Sequence, residues 1–137
     1  MKKTYKTFKN AVLYLGAIGA SLFFLFFVIT CTWIGYEVKS KCLMAQNKYG
    51  GDCVEAFIGL VDDETEDFRS RNDAIWALGQ LGDSRALPVL NNYFTGIIPD
   101  REPLNSVISQ YELSKAIKLA EGGTNLTAWA WRGSVTK

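Results

Sequence analysis

Histidine is absent from this chain of 137 residues. That removes the commonest general base and the commonest metal ligand, and so weighs against an enzyme. Cationic charge is also thin. With a formal net charge of +1, the chain has no basic field suited to neutralising phosphates, and no nucleic-acid partner is expected. Acids are missing from the stretch before residue 11, which carries Lys2, Lys3, Lys6 and Lys9. Those four lysines leave 11 of the 15 bases to residues 37–137, against all 14 acids. The part left for folding, about 100 residues, is enough for one modest core but hardly for a large enclosed active site.

Charge of either sign is lacking from Ala11 to Tyr36, where Leu22-Phe23-Phe24-Leu25-Phe26-Phe27-Val28-Ile29 forms a dense apolar centre. About 20 such residues span a bilayer core. A cleavable signal peptide has a shorter apolar region, roughly 7–15 residues, ended by small residues. Here the run continues through Trp33, Ile34 and Tyr36, so residues 11–36 read as an uncleaved transmembrane helix. Trp33 and Tyr36 mark its distal interface and Tyr5 the near one. The lysines of residues 1–10 put the N-terminus in the cytoplasm and the rest outside, although Lys39 and Lys41 beyond the far end reduce the bias. The expected location is an inner membrane crossed once. Val28-Ile29-Thr30-Cys31 faintly resembles a lipoprotein box, but threonine fits it poorly, and a cysteine packed among apolar side chains is the favoured reading. Gly16-x-x-x-Ala20 offers a small-xxx-small face.

Beyond the membrane, residues 37–51 read as a helical linker or N-terminal cap, stopped by Gly50-Gly51. Asp52 with Glu55 makes a capping box for a helix through Val54, Phe57, Ile58 and Val61. The acids at 62–67 close that helix and open the next, from about Glu66 to Leu81, where Ala74, Ile75, Leu78 and Leu81 share one side and Gly82 stops it. Asp83 or Ser84 caps a helix over Arg85–Phe94, with Pro88 in or just past its first turn. Thr95–Pro103 reads as a loop, and Leu104–Ile108 as a short helical turn. Ser109-Gln110-Tyr111-Glu112 is a second capping box, for a helix whose Leu113, Ala116, Ile117 and Ala120 share a face before Gly122-Gly123. Residues 52–123 thus form two degenerate helix hairpins, and 124–137 an aromatic tail or cap.

The run Arg71-x-x-Ala74-x-x-Ala77-Leu78-Gly79-x-Leu81-Gly82-Asp83-x-Arg85-Ala86-Leu87-Pro88-x-Leu90 resembles the HEAT-repeat family, particularly its bacterial branch of phycobilin-lyase-like HEAT repeats. More loosely the likeness extends over residues 52–121, and the layout is similar to that of small bacterial single-pass membrane proteins containing HEAT repeats. The resemblance implies an all-α fold, a transmembrane helix followed by a short α-solenoid, and a protein-binding role. It carries over no catalytic residue. The expected function is a non-catalytic scaffold or accessory subunit for another membrane or envelope protein; the alternative is a lyase-like or cofactor-handling accessory.

Candidate sites follow from the helix faces. At 100° per residue Trp76 lies opposite Leu78 and shares its side with Arg69, Asn72, Asp73 and Gln80, so these read as partner-binding candidates, with Arg101 in the proline-bounded loop beside Glu102. Packing of Trp76 against the next repeat is the competing reading. Cys42 and Cys53 are candidates for a disulfide in an oxidising compartment. A helix through residue 49 puts Cys42 about 10 Å back from the turn, which favours two buried reduced cysteines. Trp129 and Trp131 either cover the open end of the repeat stack, the favoured reading, or sit at headgroup level with Arg132 and Lys137 toward lipid phosphates. The acids at 62–67 lack the spacing of a calcium loop, and Asn125-Leu126-Thr127 is a sequon only in a secreted eukaryotic protein. No metal, cofactor or glycan is expected.

Overall fold

The computed structural model describes residues 2–135, with side chains from Lys9 onward; the side chains of Lys2, Lys3, Tyr5 and Lys6, and all of Lys137, fall outside what is described. Among the described residues every regular element is helical: α1 (Lys2–Tyr49), α2 (Cys53–Asp62), α3 (Phe68–Leu81), α4 (Leu87–Tyr93), α5 (Gln110–Ala120) and α6 (Ala128–Val135), with a 3₁₀ turn at Ser84–Ala86. The fold is all-α, as the periodicity predicts.

Helix α1 runs unbroken from the apolar run into the folded domain. It is long and apolar enough to cross a membrane. Ser21, Thr30 and Thr32 donate their hydroxyls to the carbonyls of Ala17, Phe26 and Val28, each at 2.8 Å, satisfying these donors within the helix. From residue 31 onward one face turns inward. Cys31, Val38, Cys42 and Ala45 recur at helical spacing and are all buried, so this part of α1 is a wall of the core rather than a linker. Cys31 is a free buried thiol in mid-helix.

The α1–α2 turn corrects the expectation of two reduced cysteines. Cys42 and Cys53 are bonded, with Cα atoms 5.1 Å apart. The distance back along α1 is covered by residues 50–52, each able to span up to about 3.5 Å. Gly50 and Gly51 both take φ 72°, a left-handed pair that glycine adopts readily, and Gln46 Nε2 donates to the Gly51 carbonyl at 2.9 Å. The chain therefore doubles back along the helix it has just left. Asp52 and Glu55 then form both halves of the expected capping box.

Two hairpins stack beyond this turn. Helices α2 and α3 form one, α4 and α5 the other, and α3 packs along α5. Gly79 explains how closely. A Cβ placed there would lie 2.9 Å from the Ala116 Cα, so the two helices meet through their smallest residues. Gly82 ends α3 with φ 61°.

Several boundaries differ from the sequence reading. Asp67, one of the acids at 62–67, caps α3 through Ser70 N, so the helix begins at Phe68 rather than near Glu66. The helix expected at 85–94 is a 3₁₀ turn capped by Asp83, then α4 with Pro88 in its first turn. The short turn expected at 104–108 is confined to residues 103–106, closed by Ser106 N donating to the Pro103 carbonyl at 2.8 Å. At α5 only half the capping box exists: Glu112 N donates to Ser109 Oγ. Ser109 N instead donates to Asn72 Oδ1 at 2.8 Å. Glu102 supplies the missing carboxylate, accepting from Gln110 N at 2.6 Å and from Ser109 Oγ at 2.5 Å, so a loop acid neutralises the helix N-terminus.

The C-terminal tail is helix α6, lying against α1 and α3. Trp131 is buried against Gly35, whose absent side chain leaves it room: a Cβ there would stand 2.7 Å from Trp131 Cβ. Trp129 is 78% exposed. The expectation that both rings cover the outer end of the stack is thus corrected, because only Trp131 packs inward, and it does so on α1. Arg132 also turns inward, donating to the Gln80 carbonyl at 2.7 Å.

Candidate partner groove between α1 and the first repeat

Trp76 lines an open groove of about 440 Å³ between α1 and α3. Its α1 side is built from Trp33, Ile34, Glu37 and Lys41, and α3 contributes Asn72, Asp73 and Trp76. Leu104 and Glu112 close the far end. The spacing Trp33, Glu37, Lys41 is one helical stripe, four residues per step. Two indoles and two aliphatic side chains give an apolar floor. Glu37, Asp73 and Glu112 add three carboxylates against one lysine, Lys41, which is paired with Asp73 at 2.6 Å. Trp76 is half-buried, so it both packs and presents surface. The groove can hold an apolar side chain with a cationic neighbour.

The other residues singled out by the sequence are used differently. Asn72 is buried, and its amide donates to the carbonyls of Leu104 and Val107 at 3.0 and 2.9 Å. With the Ser109 bond, it clips the 95–108 loop onto α3. Gln80 Oε1 accepts from Asn125 Nδ2 at 2.9 Å, tying the tail to the same helix. Asp73 sits on the rim, while Arg69 and Arg101 are exposed and do not line the groove. Trp33, Ile34, Glu37, Lys41, Leu104 and Glu112 escaped sequence reasoning. Of the first four, Trp33 and Ile34 read in the sequence as the end of the transmembrane helix and Glu37 and Lys41 as part of a helical linker or N-terminal cap, so no signal placed them beside α3.

The acid-rich junction has a structural use. Asp63 Oδ1 accepts from the Thr65 hydroxyl, and Oδ2 from Tyr49 at 2.8 Å and Lys48 at 3.1 Å. These bonds, Thr65 first, hold its carboxyl well below the usual carboxylate range. Lys48 also reaches Glu66 at 2.6 Å. The junction thus fastens the end of α1 to the turn between α2 and α3.

A stack of helical hairpins of this form, with Gly79 and Ala116 at the α3–α5 contact, defines a helical-repeat protein. Residues 70–95 match the family model described as PBS lyase HEAT-like repeat. The chain carries a HEAT-like repeat, and the matched stretch is α3, the Gly82-Asp83 turn and α4, the joint between its two hairpins. Neither a curated protein nor a solved structure matches the chain.

Proposed function

We propose that this protein is a single-pass, membrane-anchored HEAT-like scaffold or accessory subunit that binds another membrane or envelope protein and catalyses no reaction. The observation that carries the reading is the position of the Trp33–Trp76 groove. It opens where α1 passes from the apolar run into the domain, so its occupant must itself lie close to the bilayer surface. The lining favours a partner segment that offers one apolar anchor flanked by Lys or Arg, since aromatic floors supply binding energy and acidic rims steer cations. The Cys42–Cys53 bond supports an extracytoplasmic domain, because disulfides persist in oxidising compartments. With the lysines of the first ten residues, it supports a cytoplasmic N-terminus in an inner membrane.

The test is pull-down of tagged full-length protein from its native membrane, comparing Trp76→Ala with the parent. The expected result is loss of one stoichiometric membrane protein while the variant keeps its helicity and disulfide. Unchanged recovery with unchanged folding would overturn the assignment of the groove. Topology is checked by labelling single cysteines placed at Lys9 and at Lys118 with a membrane-impermeant maleimide in a Cys31→Ala background. Only the second position should react from outside.

A further inference from the structure

A second groove, on the opposite side of α1 from Trp76, is suited to lipid. It measures about 460 Å³ and lies between α1 and α6, walled by Phe24, Phe27, Val28, Trp129 and Trp131, with Lys39 at its upper end. That volume is ordinary for a small-molecule site. No Asp or Glu lines it, and Lys39 is its one charged residue. Lys39 is exposed and makes no ion pair among the described residues. Tyr36 and Ser134, also in the wall, bring hydroxyls to the same end. The lower end is aromatic and aliphatic, and Trp129 leaves most of its ring uncovered there.

Dimensions decide what fits. At ~1.5 Å per residue, Lys9 and Lys39 stand about 45 Å apart along α1, close to the ~40–45 Å that includes both headgroup regions. Lys39 therefore falls at the phosphate level of the distal leaflet when Lys9 is at that of the proximal one. From Phe24 to Lys39 the rise is about 22 Å, half the full bilayer thickness and so the length of one lipid in one leaflet. A soluble ligand would have no use for a groove whose floor is the apolar run itself.

We propose that the α1–α6 groove is a binding site for one distal-leaflet glycerophospholipid, its acyl chain lying along Phe24, Phe27, Val28 and Trp129 and its phosphate held by Lys39. Anionic headgroups are preferred, because the lining offers positive charge with no acid to offset it. The proposal rests on residues 11–36 spanning a membrane. It does not depend on the partner assigned to the Trp76 groove.

The test uses the full chain in phosphatidylcholine vesicles containing a minor fraction of phosphatidylglycerol with a photoreactive acyl chain. Flotation first establishes insertion, and cross-linked peptides are then mapped. Adducts are expected to concentrate on residues 24–32 and 128–134. Lys39→Gln should reduce them about fivefold, the worth of one lysine near an anionic surface. Ala130→Trp, which fills an exposed position in the groove wall, should abolish them while leaving the fold intact. Adducts spread evenly around residues 12–29 and indifferent to both variants would overturn the lipid site while leaving the membrane span standing. Failure of the parent protein to float would overturn both.

Discussion

Asn72 carries more of the structure than its side-chain size suggests. Its amide and carbonyl oxygen serve Leu104, Val107 and Ser109, residues more than 30 positions further along the chain. Asn72→Ala would leave the buried Ser109 N–H and two partly buried carbonyls without that partner, at a cost of about 2 kcal/mol. The expected outcome is a lower urea midpoint and faster proteolysis within residues 95–108, measured against the parent protein. Gly79 makes the complementary case. Replacement by Val should destabilise by roughly 1–3 kcal/mol through forced separation of α3 and α5, whereas Gly16→Ala, with nothing within 4 Å of its added carbon, should leave thermal unfolding unchanged or slightly raised. A sequence reader places Asn72 on a polar helix face and assigns it to a partner. In the structure its side chain bonds a loop of the same chain, and a hydrogen bond to a residue so distant leaves no periodic trace.

At the scale of elements, caps and turns were the most legible features, because their chemistry is local. The Asp52–Glu55 box, the Gly82 stop and the Asp83 cap follow from residues within four positions of each other. What escaped was any cap supplied from afar, as Glu102 does for α5. The same local carboxylates predict an acid response. Bonds from Thr65 hold Asp63 below its ordinary range, those from Ser70 N hold Asp67, and Arg85 holds Asp83. A carboxyl whose folded pKa lies below its unfolded value contributes stability fully above the unfolded value, near 3.9, and loses it as pH falls through the folded one. Chemical denaturation of the full chain in detergent should therefore give a midpoint that is flat from neutrality to about pH 5 and declines below about pH 4. The disulfide acts on the hinge between α1 and α2. Its loop is short, so Cys42→Ser with Cys53→Ser should cost about 3 kcal/mol, read as a fall in Tm that reductant reproduces in the parent protein.

For the whole molecule, the consequence of α1 is mechanical. The helix that is long and apolar enough to cross a membrane is also a wall of the folded core, since Cys31, Val38, Cys42 and Ala45 are buried on it and Gly35 receives Trp131. No flexible joint separates apolar run from domain, so tilt and rotation of one are imposed on the other. The sequence concealed this. A switch from uniformly apolar to amphipathic composition near residue 37 reads as a boundary, yet the backbone has no reason to break there and the buried face begins at Cys31. Two anchor exchanges follow from this geometry. Replacing residues 1–20 with an unrelated apolar helix of equal length should leave the disulfide, the helicity and partner recovery intact, because residues 9–20 are exposed along their whole length. Replacing residues 1–36 should undock α6, because the exchange removes the seat of Trp131 at Gly35 along with Phe27, Cys31 and Ile34. Tryptophan emission measured in detergent should then move to longer wavelength in the second chimera relative to a parent lacking Trp33, while the first chimera matches the parent. If both chimeras behave alike, the domain folds independently of the apolar run, and the groove at Trp76 is held beside that run by chain connection alone.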